Sequence, residues 1–358
     1  MSSPNDYFNK PEEIVDELES LLKEEGPLGL AFDDCRKGNQ QVIQVDGDHV
    51  PDPERNDIWF FGDIHGDLLG MIVAIKYAEA TSSEAGKVPW FIFLGDFTDR
   101  GPYDYLVLLK FYSLILDEEK RKRICVIAGN HDECLEYGAD LGRFYATVDP
   151  AEFTDWLNAK EDPSGLPSDL RQRLGHATIK FFKRIPRAIF LPDGLLIAHA
   201  GVPHTDLHDT IKTFDDFDKP LCRQDFAWSR AHERAPKRRP NRDSKGHSFG
   251  RKDFEVFCKK ATEVLKQPVE RMLRGHDHYI DGHRYYTKYQ QKQILTLNTR
   301  CIQPDMMDGP YSDCLCVARW EKGKLPQVHR LEACRDELKR VNRPSSESED
   351  PNETDRAE

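Results

Sequence analysis

The sequence predicts an α/β fold, a four-layer sandwich of two mixed β-sheets flanked by helices. Three observations predict it. Apolar runs at Ile58–Phe61, Trp90–Leu94 and Ile124–Ala128 each end in a polar, glycine-bracketed loop, as buried strands do at their carboxyl ends. These runs belong to βα units, whose right-handed crossovers make the strands parallel. After His276 the pattern changes to short alternating segments, Arg284–Lys288, Gln293–Leu297, Asp313–Arg319 and Gln327–Leu331, expected to form an antiparallel second sheet.

The elements follow in order. Pro11–Glu25 places Ile14, Val15, Leu18, Leu21 and Leu22 at helical spacing, an amphipathic helix within an N-terminal extension of residues 1–55. The three strands come next. Cys134–Tyr145, Pro150–Lys160 and Ser168–Lys183 read as helices, with Phe153, Trp156 and Leu157 as a core stripe. Gly194–Gly201 (GLLIAHAG) and Glu270–His278 (ERMLRGHDH) are two further apolar strands that deliver His199, His276 and His278. Between them, Arg230–Lys252 carries nine basic residues against two acidic ones and reads as a polar loop before the next helix, a solvated surface in the first reading and a rim that selects anionic substrates in the second. Motifs spread over more than 200 residues must converge in one core, so residues 56–335 form one domain. The serine- and acid-rich segment 341–358 is expected to be a disordered tail.

The chemistry sits at the strand ends. GDIHG (Gly62–Gly66), GDFTDRG (Gly95–Gly101) and GNHDE (Gly129–Glu133) present Asp63, His65, Asp96, Asn130 and His131. Strand ends of one sheet form the crevice where ligands usually bind. Carboxylate, imidazole and amide oxygen without thiolate suit manganese, iron, zinc or magnesium. The late histidine motifs share this strand-then-loop grammar, which makes His199 and His276 metal-ligand candidates as well.

With all five motifs in order over Asp57–Arg300, the chain resembles the calcineurin-like metallophosphoesterases, and within them the phosphoprotein phosphatase family. The resemblance implies a binuclear site. Asp63 and His65 would hold one metal, Asp96 would bridge, and Asn130, His199 and His276 would hold the other, with manganese expected first and iron or zinc next. A hydroxide bridging the metals would then attack a phosphate ester in line. By the same resemblance His131 protonates the leaving group, Asp99 orients it, and Arg100 grips phosphate oxygens together with a second arginine. For that second arginine Arg230, in Ala227-Trp228-Ser229-Arg230, is the candidate, and Arg242 and Lys245 are fallbacks. Three departures point to a prokaryotic-type member: the extra Asp132, the second histidine His278, which is a further possible ligand of the first metal, and Arg300 in TLNTRC where eukaryotic members place a tyrosine.

Composition narrows the class. A net charge of −12 argues against nonspecific nucleic-acid binding, and no apolar run is long enough to span a bilayer. Nine cysteines without a paired spacing read as reduced thiols, and the N-terminus lacks a secretory pattern; both fit a cytoplasmic protein. The leading expectation is a protein serine/threonine phosphatase that also accepts phosphotyrosine. The alternatives are a hydrolase of dinucleoside polyphosphates or another small phosphate compound, and a catalytically weak binding protein. The oligomeric state is left open.

Overall fold

A computed structural model describes residues 10–161, 165–234, 236–240, 245–289, 292–301 and 315–331. In chain order the strands are β1 (Val42–Gln44), β2 (Asn56–Phe61), β3 (Val88–Phe93), β4 (Ile124–Val126), β5 (Glu136–Gly138), β6 (Arg143–Tyr145), β7 (Ala188–Phe190) and β8 (Leu195–Ala198). They continue with β9 (Arg230–Ala231), β10 (Arg239–Pro240), β11 (His247–Phe249), β12 (Arg271–Arg274), β13 (His283–Tyr285), β14 (Gln293–Leu297), β15 (Leu315–Arg319) and β16 (Gln327–Leu331). A five-stranded sheet runs β16-β15-β2-β3-β4 and a six-stranded sheet runs β1-β7-β8-β12-β14-β13.

The alternation of side chains along each strand builds the four layers. In β2 and β3, Ile58, Phe60 and Ile92 point inward, where they meet Ile189, Ile197, Leu273 and Leu295 of the other sheet. Trp59, Phe61, Phe91 and Phe93 point outward, onto a cluster shared with helices Leu68–Glu84, Asp104–Leu116 and Ser168–Phe182. On the far side, Phe190, Leu196, Met272 and Ile294 pack against helices Pro220–Trp228 and Arg251–Leu265. Both faces of the central strands are therefore dry, which is why the sequence shows continuous apolar runs there.

β2, β3 and β4 pair in parallel, as the βα reading expects. The late strands differ from expectation, because they divide between the two sheets. β14 lies parallel to β12 and antiparallel to β13, whereas β15 pairs antiparallel with β2 and carries β16 at the edge. The cause is a hydrogen-bonding requirement. β2 is buried on both faces and has β3 on one side only, so its other backbone edge needs a partner, and β15 supplies it.

Two further expectations are corrected. Of the predicted Cys134–Tyr145 helix only Cys134 is helical, as the last residue of Asn130–Cys134; the rest forms the β5–β6 hairpin, whose turn uses Gly142 at φ 61°. Tyr137 then packs on Phe144 and His176. The basic Arg230–Lys252 stretch is more than a loop, since β9, β10 and β11 join in a small sheet. The N-terminal helix runs Pro11–Leu21 and buries Ile14, Val15 and Leu18 in the helical layer. Arg173 ties it down through Glu19 at 2.7 Å and through Asp16. The predicted tail, and residues 313 and 314 of the predicted Asp313–Arg319 strand, lie outside the described residues.

Candidate metal centre

The first three motifs follow β2, β3 and β4; the late histidines follow β8 and β12. Five residues at these turns hold left-handed backbone: His65 (φ 46°), Asp96 (53°), Asp99 (69°), Arg100 (71°) and His276 (68°). L-residues rarely adopt this conformation, and a cluster of them marks a place where geometry is imposed for function. Close approach explains two glycines. A Cβ on Gly129 would lie 2.1 Å from Asp96 Oδ1, and one on Gly275 would lie 2.0 Å from Asp63 Oδ1.

The turns bring the predicted ligands together. Asp63, His65 and His278 form one group of donor atoms, and Asp96, His199 and His276 form another. Asp96 also groups with His65, so it stands between the two. His65 Nε2 is 3.5 Å from Asp96 Oδ2 and 3.9 Å from Asp63 Oδ2; His199 Nε2 is 3.2 Å from Asp96 Oδ2. Asn130 Oδ1 sits 3.1 Å from His199 Nε2 and 2.7 Å from His276 Nδ1. His278 Nε2 reaches Asp63 Oδ2 at 3.0 Å, which seats the second histidine of the GHDH motif with the first group.

Three features of this set fit divalent cations. His65 donates from Nδ1 to the Thr98 carbonyl at 2.8 Å and His199 from Nδ1 to the Leu94 carbonyl at 2.7 Å, so in each ring Nε2 is turned to the centre. His65 Nε2 and His276 Nε2 are buried without a hydrogen-bond partner, a costly state unless another group occupies the space. The local field also attracts positive charge. Burial alone would depress the pKa of His199, yet the Asp96 carboxylate raises it to about 9. For His65 and His276 burial dominates, and both imidazoles are held well below their usual pKa, hence neutral and able to donate.

Beside the centre, His131 Nδ1 contacts Asp99 Oδ2 at 2.7 Å, while Phe153 N–H donates to Asp99 Oδ1 at 2.9 Å. Burial lowers the pKa of His131, but Asp96 and Asp99 outweigh it and the net shift is upward. Arg100 is close enough for its charge to act on His131 and His278. Arg230 is ion-paired with Asp277, between the two late histidines, and buried Arg274 holds the same carboxylate at 2.6 Å. Of the fallbacks, Lys245 lies over the Trp228 ring at 4.9 Å, and Arg242 is outside the described residues.

Sequence reasoning left several residues without a role. Asp132 accepts hydrogen bonds from the backbone N–H groups of Gly129, Asp96 and Phe97 at 2.8, 2.7 and 3.2 Å, clamping the second and third motif loops together. Arg300, singled out only as a departure, brings positive charge to His65 and His278. Asp277 was visible in GHDH but carried no signal of its pairing with Arg274, three residues earlier, or with distant Arg230. Asp104, which accepts from Asp99 N–H at 3.0 Å, had no motif to mark it.

Known proteins bear on this geometry. The chain is 20% identical over 274 residues to serine/threonine-protein phosphatase T of Saccharomyces cerevisiae, a match covering 75% of this chain and 46% of that protein. It is 21% identical over 264 residues to the serine/threonine-protein phosphatase 6 catalytic subunit of Caenorhabditis elegans, covering 70% and 67%. It is 27% identical over 147 residues to an asymmetrical bis(5'-nucleosyl)-tetraphosphatase of Oceanobacillus iheyensis, covering 40% and 55%. The chain thus spans about half of the length of the first and third of these relatives. A solved serine/threonine phosphatase from Saccharomyces cerevisiae, described as similar to human PP5, shares the fold with a TM-score of 0.54 at 17% identity, over 91% of this chain and 90% of that one. The calcineurin-like phosphoesterase model matches residues 57–279, well over half of the chain, and the two-sheet fold with its strand-end motifs agrees: the chain belongs to the calcineurin-like phosphoesterase family.

Proposed function

We propose that this chain is a phosphomonoesterase that uses two divalent cations, with manganese the first choice for the pair and iron or zinc the alternatives, to hydrolyse phosphoserine and phosphothreonine in proteins. The observation that carries this reading is the pair of donor groups sharing Asp96, with the His131–Asp99 couple at their side. Asp63, His65 and His278 would hold one cation; Asn130, His199 and His276 would hold the other; Asp96 would serve both. The chemistry such a pair supplies when bound is a lowered pKa for a water molecule and neutralisation of charge on the phosphate.

The protein's own groups do the rest. His131 commits Nδ1 to Asp99 and so offers Nε2 to the substrate. Asp96 and Asp99 shift its pKa upward, which favours the protonated form that a departing alkoxide needs. Asp99 fixes the ring's orientation, since its other oxygen is anchored by Phe153 N–H. Arg100 and Arg300 approach the His65–His278 side, and Arg230 approaches from Asp277; their forked N–H groups suit phosphate oxygens.

The test is a comparison of kcat/KM on phosphoserine, phosphothreonine and phosphotyrosine peptides and on diadenosine tetraphosphate, with each metal in turn. A preference for the phosphopeptides supports the protein-phosphatase reading. Higher kcat/KM on the dinucleotide would replace it with the small-molecule reading, which the Oceanobacillus relative favours.

A further inference from the structure

Beside the metal centre lies a cavity of about 850 Å³ whose lining, Asp277 apart, comes from outside the five motifs. Five cationic side chains line it, Arg230, Arg234, Arg239, Arg284 and Lys288, against two carboxylates, Glu233 and Asp277. Both carboxylates are already engaged. Asp277 binds Arg230 and Arg274, and Glu233 accepts from Arg284 at 2.7 Å and from the Lys288 backbone N–H at 2.8 Å. Among the described residues Arg234 and Arg239 have no such partner.

The aromatic lining does not favour a stacked base. The Arg284 guanidinium lies over the rings of Tyr279 and Tyr286 at 5.1 and 5.3 Å, and the two hydroxyls bond each other at 2.8 Å. What remains is a concave cationic surface with about three positive charges in excess, shaped for an anion. Its wall is shared with the metal centre. Asp277 stands between His276 and His278 in sequence, and the Arg230 charge reaches His276. This shared wall makes the cavity a place where a further anionic group of a substrate held at the metal site can sit.

We propose that this cavity is a subsite for a second phosphate of the substrate, so that the protein selects compounds carrying two or more phosphate groups. The inference rests on the phosphoesterase reading above. The second phosphate has two possible sources, a neighbouring phosphorylated residue of a peptide or the polyphosphate chain of a dinucleotide. The basic Lys237-Arg238-Arg239 run contributes through Arg239 alone, because Arg238 is drawn away to Asp206 at 3.0 Å and to His204, and Lys237 does not line the cavity.

The experiment compares the wild-type chain with the R234Q/R239Q double variant. Binding of a labelled doubly phosphorylated peptide, its singly phosphorylated counterpart and diadenosine tetraphosphate is measured with chelator present, and hydrolysis of each and of p-nitrophenyl phosphate is measured with manganese. The subsite predicts that wild type binds the doubly phosphorylated peptide or the dinucleotide at least about tenfold more tightly than the singly phosphorylated peptide, consistent with two charge-assisted contacts. In the double variant this preference collapses, while kcat on p-nitrophenyl phosphate is unchanged. Whichever of the two ligands shows the variant-sensitive preference identifies the source. Equal binding of the three ligands by wild type, or a preference that survives in the variant, overturns the subsite. Preference without hydrolysis of any compound leaves the subsite standing and overturns the phosphoesterase reading instead.

Discussion

At Gly275 and Gly129 a hydrogen atom stands where any side chain would strike a carboxylate of the centre, Asp63 in one case and Asp96 in the other. Gly275→Ala should displace Asp63 and reduce bound manganese below two equivalents, as read by elemental analysis of the purified protein. Asp132 acts at the same scale. Asp132→Ala strips three backbone N–H groups of their acceptor, and with about 1 kcal/mol or more lost for each it should reduce stability by about 3 kcal/mol in urea unfolding. The sign of the pH effect follows from His131. Asp96 and Asp99 raise its pKa against the downward pull of burial, so Asp99→Asn lowers it, and the protonated acid is lost at lower pH. The alkaline limb of kcat should therefore move to lower pH in that variant; an unmoved limb would remove His131 from the role of acid. Most of these residues were legible in the motifs because chemistry restricts the residue types. The contacts of Asp104, Asp277 and Arg300 were not, because they depend on chain crossings that no local pattern encodes.

Strand ends carry the centre, so the elements that fix those strands matter to it. The apolar runs announced β2, β3, β4, β8 and β12 because both their faces are buried. The late strands were visible as strands but not as members of a particular sheet, since alternation specifies a face and says nothing of a neighbour. The β5–β6 hairpin was misread as helix because Gly138 and Gly142, rather than any periodicity, set its path. The Pro11–Leu21 helix packs against the Asp104–Leu116 and Ser168–Phe182 helices, away from the strand ends, with Leu18 fully buried. Leu18→Ala should cost about 2–4 kcal/mol through lost burial and a cavity, measured by denaturant unfolding, and leave kcat at 25 °C within twofold of wild type.

For the whole molecule, a net charge of −12 surrounds a cavity that is locally cationic. This contrast would repel polyanions generally while holding one that fits, so KM for a multiply phosphorylated substrate should rise steeply between 50 and 300 mM salt, and KM for p-nitrophenyl phosphate should change little. Among the described residues no helix is long and apolar enough to cross a membrane. The four layers serve one end: five strands from two sheets deliver carboxylates and imidazoles to a single point. If two cations held there make the protein a phosphoesterase, titration of the metal-free chain with manganese should restore activity in step with binding. Hydrolysis of p-nitrophenyl phosphate should be absent at first and reach its plateau as the second equivalent binds. Full turnover by the metal-free protein, or none with two equivalents bound, would rule out a two-cation phosphoesterase.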